Sequence, residues 1–230
     1  MIPVISQPPP PDFDFNEEVA IPGSNALREL IGDPSAPPRR GRARKATYPS
    51  IEEIPGQALP AHWRKALPAL RKVYGNTCAY LGIRIHPATG AAEVDHFLPK
   101  SKYQKLAYSW ANFRLSCKRA NIHKDNHEDV LDPFAIANNL FSLNLFSGEV
   151  EIGPGATEPI IRDQVKATIK RLKLNEDPIF VAARKDYIDR HFGISNPADL
   201  MVQPPLDFVS LKFEAPFVAA EIDRQGMKRG

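Results

Sequence analysis

Glu93-Val94-Asp95-His96-Phe97-Leu98-Pro99-Lys100, with Asn112 sixteen residues after His96 and Asn121 nine residues further on, is the stretch on which the fold of this chain turns. An apolar, strand-like run ends in a carboxylate beside an imidazole. Asp95 is a hard oxygen ligand and His96 is a base with an ordinary pKa near 6.5. Hydrolysis of a phosphodiester needs a deprotonated water, neutralised charge and a stabilised leaving oxygen. His96 suits the first task. Asp95 and Asn121 offer oxygen ligands to a divalent cation for the other two, favouring Mg²⁺ or Mn²⁺ over a soft metal. Neighbours on a strand point to opposite faces, so Asp95 and His96 converge on one ligand only where the strand ends or bulges. Leu98-Pro99 is consistent with an ending. Asn112 is expected to brace the following loop through its amide and so fix the imidazole.

Outward from this stretch, the pattern reads strand, loop, strand, helix. Ala92–Phe97 is strand-like, 99–111 a loop, Phe113–Ser116 a short strand, and Cys117–Lys124 helical in composition. Ile83–Ile85 is expected to pair with Ala92–Phe97 as a hairpin across the turn Pro87-Ala88-Thr89-Gly90. Before it, 60–74 predicts a helix with Trp63, Leu67, Leu70 and Tyr74 on one core-facing stripe and an interruption at Pro68. Beyond residue 130, Leu143–Ile152 predicts a hairpin turning at Ser147-Gly148. Ile160–Leu174 and Ile179–Phe192 predict amphipathic helices.

The chain has 230 residues, 43% hydrophobic and 25% charged, with a formal charge of +3. These values fit a globular protein and permit, without demanding, a polyanionic partner. Basic residues cluster at Arg39, Arg40, Arg42, Arg44 and Lys45, and again at Lys100, Lys102, Lys105, Arg114, Lys118, Arg119 and Lys124. Residues 1–47, rich in proline and charge, predict a flexible tail or partner-docking segment holding one short helix, Ser24–Ile31, capped by Ser24 and stopped at Gly32. No signal peptide or membrane-spanning run is visible, and two cysteines fit a reducing cytoplasm. The expected organisation is a tail at 1–47, a catalytic domain at 48–190 with its core at 78–127, and a C-terminal extension at 191–230.

Residues 78–124 resemble the HNH endonucleases, the ββα-metal nuclease fold, at Asp95-His96, Asn112 and Asn121, with Lys124 completing an Asn-x-x-Lys ending. The resemblance implies an α+β fold with a ββα-metal core embedded in a mainly helical domain behind a Pro-rich N-terminal extension. It also implies that His96 is the general base, that Asp95 and Asn121 hold the metal, and that Asn112 is the structural asparagine of the catalytic site. The wider strings Asp95–Ser101, Tyr108–Asn112, Ser116-Cys117 and Ala167–Asn175 are similar to the HNH nuclease subunit of Septu-type and retron-linked anti-phage systems. That branch implies DNA as substrate and an ATPase partner subunit. Many HNH proteins carry two Cys-x-x-Cys knuckles around a structural zinc. Here Cys78-Ala79-Tyr80-Leu81 and Cys117-Lys118-Arg119-Ala120 each keep only the first cysteine. Two thiolates cannot close a tetrahedral zinc site. No structural zinc is expected, and Leu81 and Ala120 should supply apolar packing beside two close thiols.

Lys100 and Lys124 are candidate nucleic-acid contacts, and Asp125, one turn after Asn121, a candidate further metal oxygen. His123 and His127 read as surface residues, Tyr108 and Trp110 as packing beneath the site. Two other functions fit the same residues. One is a catalytically inactive module that only binds nucleic acid; the other is an HNH toxin or mobile-element nuclease.

Overall fold

The apolar run ending at His96 forms strand β1, Ala92–His96, in a computed structural model that describes residues 1–34, 47–194 and 204–228. β1 pairs antiparallel with β2, Phe113–Cys117, in the register His96 opposite Phe113 and Ala92 opposite Cys117. The chain then turns directly into helix α3, Lys118–Lys124, which packs across both strands. The strand, loop, strand, helix order therefore forms as the apolar pattern predicts. The expected hairpin with Ile83–Ile85 does not. The turn itself closes, Gly90 N–H donating to the His86 carbonyl at 2.8 Å. Residues 83–85 instead fold back on their own approach, through a single bridge between Thr77 and Arg84. β1 takes its partner from across the loop instead: β2, which is buried from Phe113 to Ser116.

Around this unit the chain is mixed α/β, with two small antiparallel sheets and seven α-helices among the described residues. A 3-10 segment, His62–Ala66, leads into α2, Leu67–Val73, with Pro68 in its first turn, where a missing N–H costs nothing. Pro68 thus marks a change of helix type and not a break. β3, Phe141–Leu143, and β4, Val150–Ile152, form the expected second hairpin. α4, Pro159–Arg171, and α5, Pro178–Phe192, match the two amphipathic runs. Asp177 caps α5 by accepting from Ile179 N–H at 3.0 Å. The same carboxylate accepts from His123 at 2.8 Å and Arg119 at 3.1 Å on α3, tying the two helices together.

The predicted tail is, over residues 1–34, part of the folded body. Helix α1, Ile21–Leu30, follows a π-turn at Asn16–Ala20 and begins at Ile21-Pro22, so Ser24 lies inside it and is not its cap. Gly32, at φ 71°, does end it. Met1, Val19, Leu27 and Leu30 are buried in the common core, and Phe15 stacks edge-on against Trp110 and Phe113. Few apolar anchors are present, but each is large and lands on the same surface. The basic knot Arg39–Lys45 lies outside the described residues. At the other end, α6, Phe208–Glu214, and α7, Pro216–Arg224, bring Leu211, Phe217, Val218 and Ile222 into that core. Glu221 accepts from Ser142 Oγ at 3.0 Å and Leu143 N–H at 2.9 Å, fastening α7 to β3.

α1 packs tightly against the loop that carries the site at Gly23. A Cβ added there would lie 2.1 Å from Tyr108 Cγ, inside the ring. Gly23→Ala gains about 1 kcal/mol of helix propensity, yet overpacking costs about 1–3 kcal/mol. Urea unfolding should show a net loss of stability. A neutral or stabilised variant would mean that α1 is not docked.

Candidate active site

The β1 sequence is apolar enough to be buried at Val94 and places Glu93 and Asp95 on one face, toward α3. Asp95 is 3% exposed. One of its oxygens accepts from the Tyr80 hydroxyl, the other from the Lys124 ammonium at 3.2 Å. Lys124 has no exposed surface and also donates to the His96 carbonyl at 2.8 Å. Burial pushes the Asp95 carboxyl above the usual carboxylate range, opposed by Lys124 and Tyr80. Lys124 is therefore an internal counter-charge. Its expected role as a nucleic-acid contact is corrected: an ammonium with no surface cannot reach a phosphate.

His96, 8% exposed, sits between Trp63 and Phe113, with ring centroids at 5.0 and 5.3 Å. Its Nε2 is 2.9 Å from the Ala107 carbonyl. A carbonyl only accepts, so Nε2 carries the proton and Nδ1 is left as an acceptor. Burial first, then the nearby Lys100 and Lys124 charges, lower the imidazole from 6.5 to about 4, against the Ala107 bond, which raises it. His96 is neutral at physiological pH.

Asn112 Oδ1 accepts from Leu98 N–H at 2.8 Å, and its Nδ2 donates to the carbonyls of Leu98 at 3.0 Å and Leu106 at 3.3 Å. The amide thus clamps both ends of the loop that presents Ala107 to His96. Gln104 adds three bonds, to the carbonyls of Glu52, Ile54 and Ser101.

Asn121 is held by a residue of β1. Its Nδ2 donates to Glu93 Oε2 at 2.6 Å, not to Asp95. Glu93 was not singled out in the sequence, although a second carboxylate two residues before Asp95 must share its face. The cleft holding these groups is about 580 Å³ and is lined by all five residues of β1, as befits a groove along that strand's unpaired edge. Lys100, Asn121, Asp125, Trp63 and Arg64 also line it. Trp63, read as core, therefore faces the cleft, and Lys100 lies 5.5 Å over its ring. Arg64 comes from outside the ββα unit, where no motif marks it. Among the described residues no three of His, Cys, Asp or Glu converge as a metal centre. The oxygen donors lining the cleft are three carboxylates, Glu93, Asp95 and Asp125, and the side-chain amides of Asn121 and Asn126. Mg²⁺ keeps several waters and binds through one or two carboxylates plus substrate phosphate, so this set fits it.

Over 65 residues the chain is 38% identical to the Septu protein PtuB of Bacillus thuringiensis. The match covers 28% of this chain and 25% of that relative's length. No protein-family profile matches. Among the described residues no helix is long and apolar enough to cross a membrane.

The predicted basic cluster is altered, whereas the packing around the two cysteines forms as expected except that Cys117 is only partly buried. Most of the basic cluster around the loop is internally paired: Lys102 with Glu128, Lys105 with Glu52, Arg119 with Asp177. Arg114 is buried on Asp132 and stacks over Phe134 at 3.6 Å. Lys100 and Arg64 have no acidic partner among the described residues. Leu81 and Ala120 are buried in the core, and Cys117 N–H donates to Cys78 Sγ at 3.4 Å. Cys78 is buried, Cys117 only partly so. Burial would raise the Cys78 thiol, but hydrogen bonds from Cys117, Leu81 and Tyr80 bring it down to about 7.

Lys124→Met leaves Asp95 buried without a counter-charge and should cost about 3–5 kcal/mol in urea unfolding. Lys100→Ala should cost under about 0.5 kcal/mol. Equal effects would contradict the division between them. A second expectation concerns pH in metal-chelated protein. Because folding lowers the His96 pKa, the unfolded chain binds the extra proton between 6.5 and 4, so stability is complete above 6.5 and falls with pH. About 2 kcal/mol should be lost by pH 5, and His96→Gln should flatten that slope. An unchanged slope would contradict a buried neutral imidazole.

Proposed function

We propose that this chain is a metal-dependent HNH endonuclease that hydrolyses DNA phosphodiester bonds, and that it is the cytoplasmic effector of an anti-phage defence system. One observation carries the chemistry. His96 is neutral, oriented by the Ala107 carbonyl, and left with Nδ1 as an acceptor beside the cleft that holds Asp95 and Asn121. The partial similarity to a Septu protein supports the defence role. It also supports a partner subunit, for which the branch resemblance names an ATPase.

In this reading a water held on Nδ1 loses its proton to His96 as its oxygen attacks phosphorus. The phosphorus–oxygen bond on the far side breaks, and the leaving oxygen takes a proton from solvent. Asp95 and Asn121 would hold a divalent cation, which supplies charge neutralisation at the phosphate and the leaving oxygen. Lys100 and Arg64, which line the cleft without an acidic partner among the described residues, would hold the phosphate backbone. Asn112 acts through the loop: it keeps the Ala107 carbonyl in position and with it the His96 tautomer.

A second reading, a nucleic-acid module without catalysis, is favoured by one feature. Both Asp95 oxygens already have donors, and among the described residues no group of three His, Cys, Asp or Glu side chains converges there. Cleavage decides between the two. Supercoiled plasmid is incubated with Mg²⁺ and the protein, alone and with its ATPase partner. Nicking should disappear with chelator and fall by about 10²–10⁴ in His96→Ala. Cleavage that His96→Ala leaves intact overturns the reading. So does salt-sensitive DNA binding with no cleavage under any metal or partner.

A further inference from the structure

Glu93 lines the same cleft as His96, and its role follows from charge. Affinity for a hard divalent cation rises with the number of negative ligands. Asp95 brings one negative charge, but the Lys124 ammonium lies 3.2 Å away and both side chains are buried. However the proton is shared, Asp95 and Lys124 together bring no net negative charge to the cleft. Asn121 is neutral. The two ligands expected from the sequence would thus present a cation with oxygen atoms and almost no compensating charge.

Glu93 repairs that deficit. It shares the Asp95 face of β1, and its Oε2 is already held by Asn121 Nδ2 at 2.6 Å. Among the described residues, Glu93 Oε1 and Asn121 Oδ1 carry no hydrogen-bond partner, which leaves one carboxylate oxygen and one amide oxygen of two bonded, cleft-lining residues free. A separate observation points to a ligand at this place. His96, more than nine-tenths buried, has a partner for Nε2 but none among the described residues for Nδ1, and it lines the same cleft.

We propose that Glu93 is a cation-binding residue of this site and supplies the negative charge that Lys124 removes from Asp95. The proposal rests on the metal-dependent reading given above. Glu93 and Asn121 form a preassembled oxygen pair, and Asp95 contributes position more than charge. The Asn121–Glu93 bond holds the amide oxygen at the cleft before a cation arrives.

The test is Mn²⁺ binding to the full chain by calorimetry, with free Mn²⁺ followed by electron paramagnetic resonance. Glu93→Gln keeps an acceptor for Asn121 and removes only the charge, and an unchanged far-ultraviolet circular dichroism spectrum verifies its fold. The native chain should bind one Mn²⁺. Glu93→Gln should weaken that binding at least tenfold, while Asp163→Asn, exposed on α4 and remote, should not change it. If Asn121→Ala loses Mn²⁺ and Glu93→Gln stays within twofold of the native chain, the Glu93 proposal falls and the metal-dependent reading stands. Glu93-dependent Mn²⁺ binding without DNA cleavage under any condition supports the site and overturns the nuclease. A native chain that binds no Mn²⁺ overturns both.

Discussion

Lys124 carries an ammonium with no exposed surface, placed 3.2 Å from a carboxylate that is itself almost wholly buried. Taking two such charges out of water costs several kcal/mol each, recovered only if every donor and acceptor is satisfied. Here Lys124 bonds to Asp95 and the His96 carbonyl, and Tyr80 takes the other Asp95 oxygen. The arrangement pins α3 to the end of β1, and the rest of the cleft follows from that register. Asn121 stands three residues before Lys124, about 4.5 Å back along the helix. Glu93 stands two residues before Asp95, about 6.7 Å back along the strand. Pinning the one pair brings the other together. Asn121 therefore meets Glu93, while Asp95 is reserved for Lys124.

The opposite face of β1 is fixed by the loop between the strands. Asn112 clamps Leu98 to Leu106, Gln104 ties the loop to residues 52 and 54, and Ala107 meets the imidazole. The N-terminal segment backs this loop. Trp110 Nε1 donates to the Gln7 carbonyl at 2.7 Å, and Gly23 lets α1 lie flat on the Tyr108 ring. Zinc knuckles hold the corresponding region of many proteins that this sequence resembles. Here the Cys78–Cys117 contact sits in an apolar setting with buried Leu81 and Ala120. Packing and amide clamps hold the described loop.

Periodicity carried most of the architecture. Alternation and turn residues located β1, β2 and the 141–152 hairpin, and the 3.6-residue period located α4 and α5. What failed was partner choice. Ile83–Ile85 is as strand-like as Phe113–Ser116, and nothing local says that β1 prefers the distant strand. The proline-rich beginning misled for a related reason: Phe15, Val19, Leu27 and Leu30 are too sparse to form a pattern, yet each fills a site in the core. Charged residues were the hardest to place. Lys124 and Arg114 look like solvent-facing cations until the fold puts carboxylates beside them. Glu93 was detectable in principle, since a carboxylate two residues before Asp95 on a strand must share its face. Arg64 carried no such signal, because its place on the cleft depends on how the 3-10 segment packs across the sheet.

The central claim is that the fold delivers a neutral imidazole with its proton on Nε2 and its Nδ1 open to the cleft. Nitrogen-15 NMR of the ring-labelled, metal-free chain tests it most directly. The account predicts that His96 shows the Nε2–H tautomer throughout, with no protonation until the pH falls toward about 4. A His96 ring that carries its proton on Nδ1, or that titrates near 6.5, would contradict it.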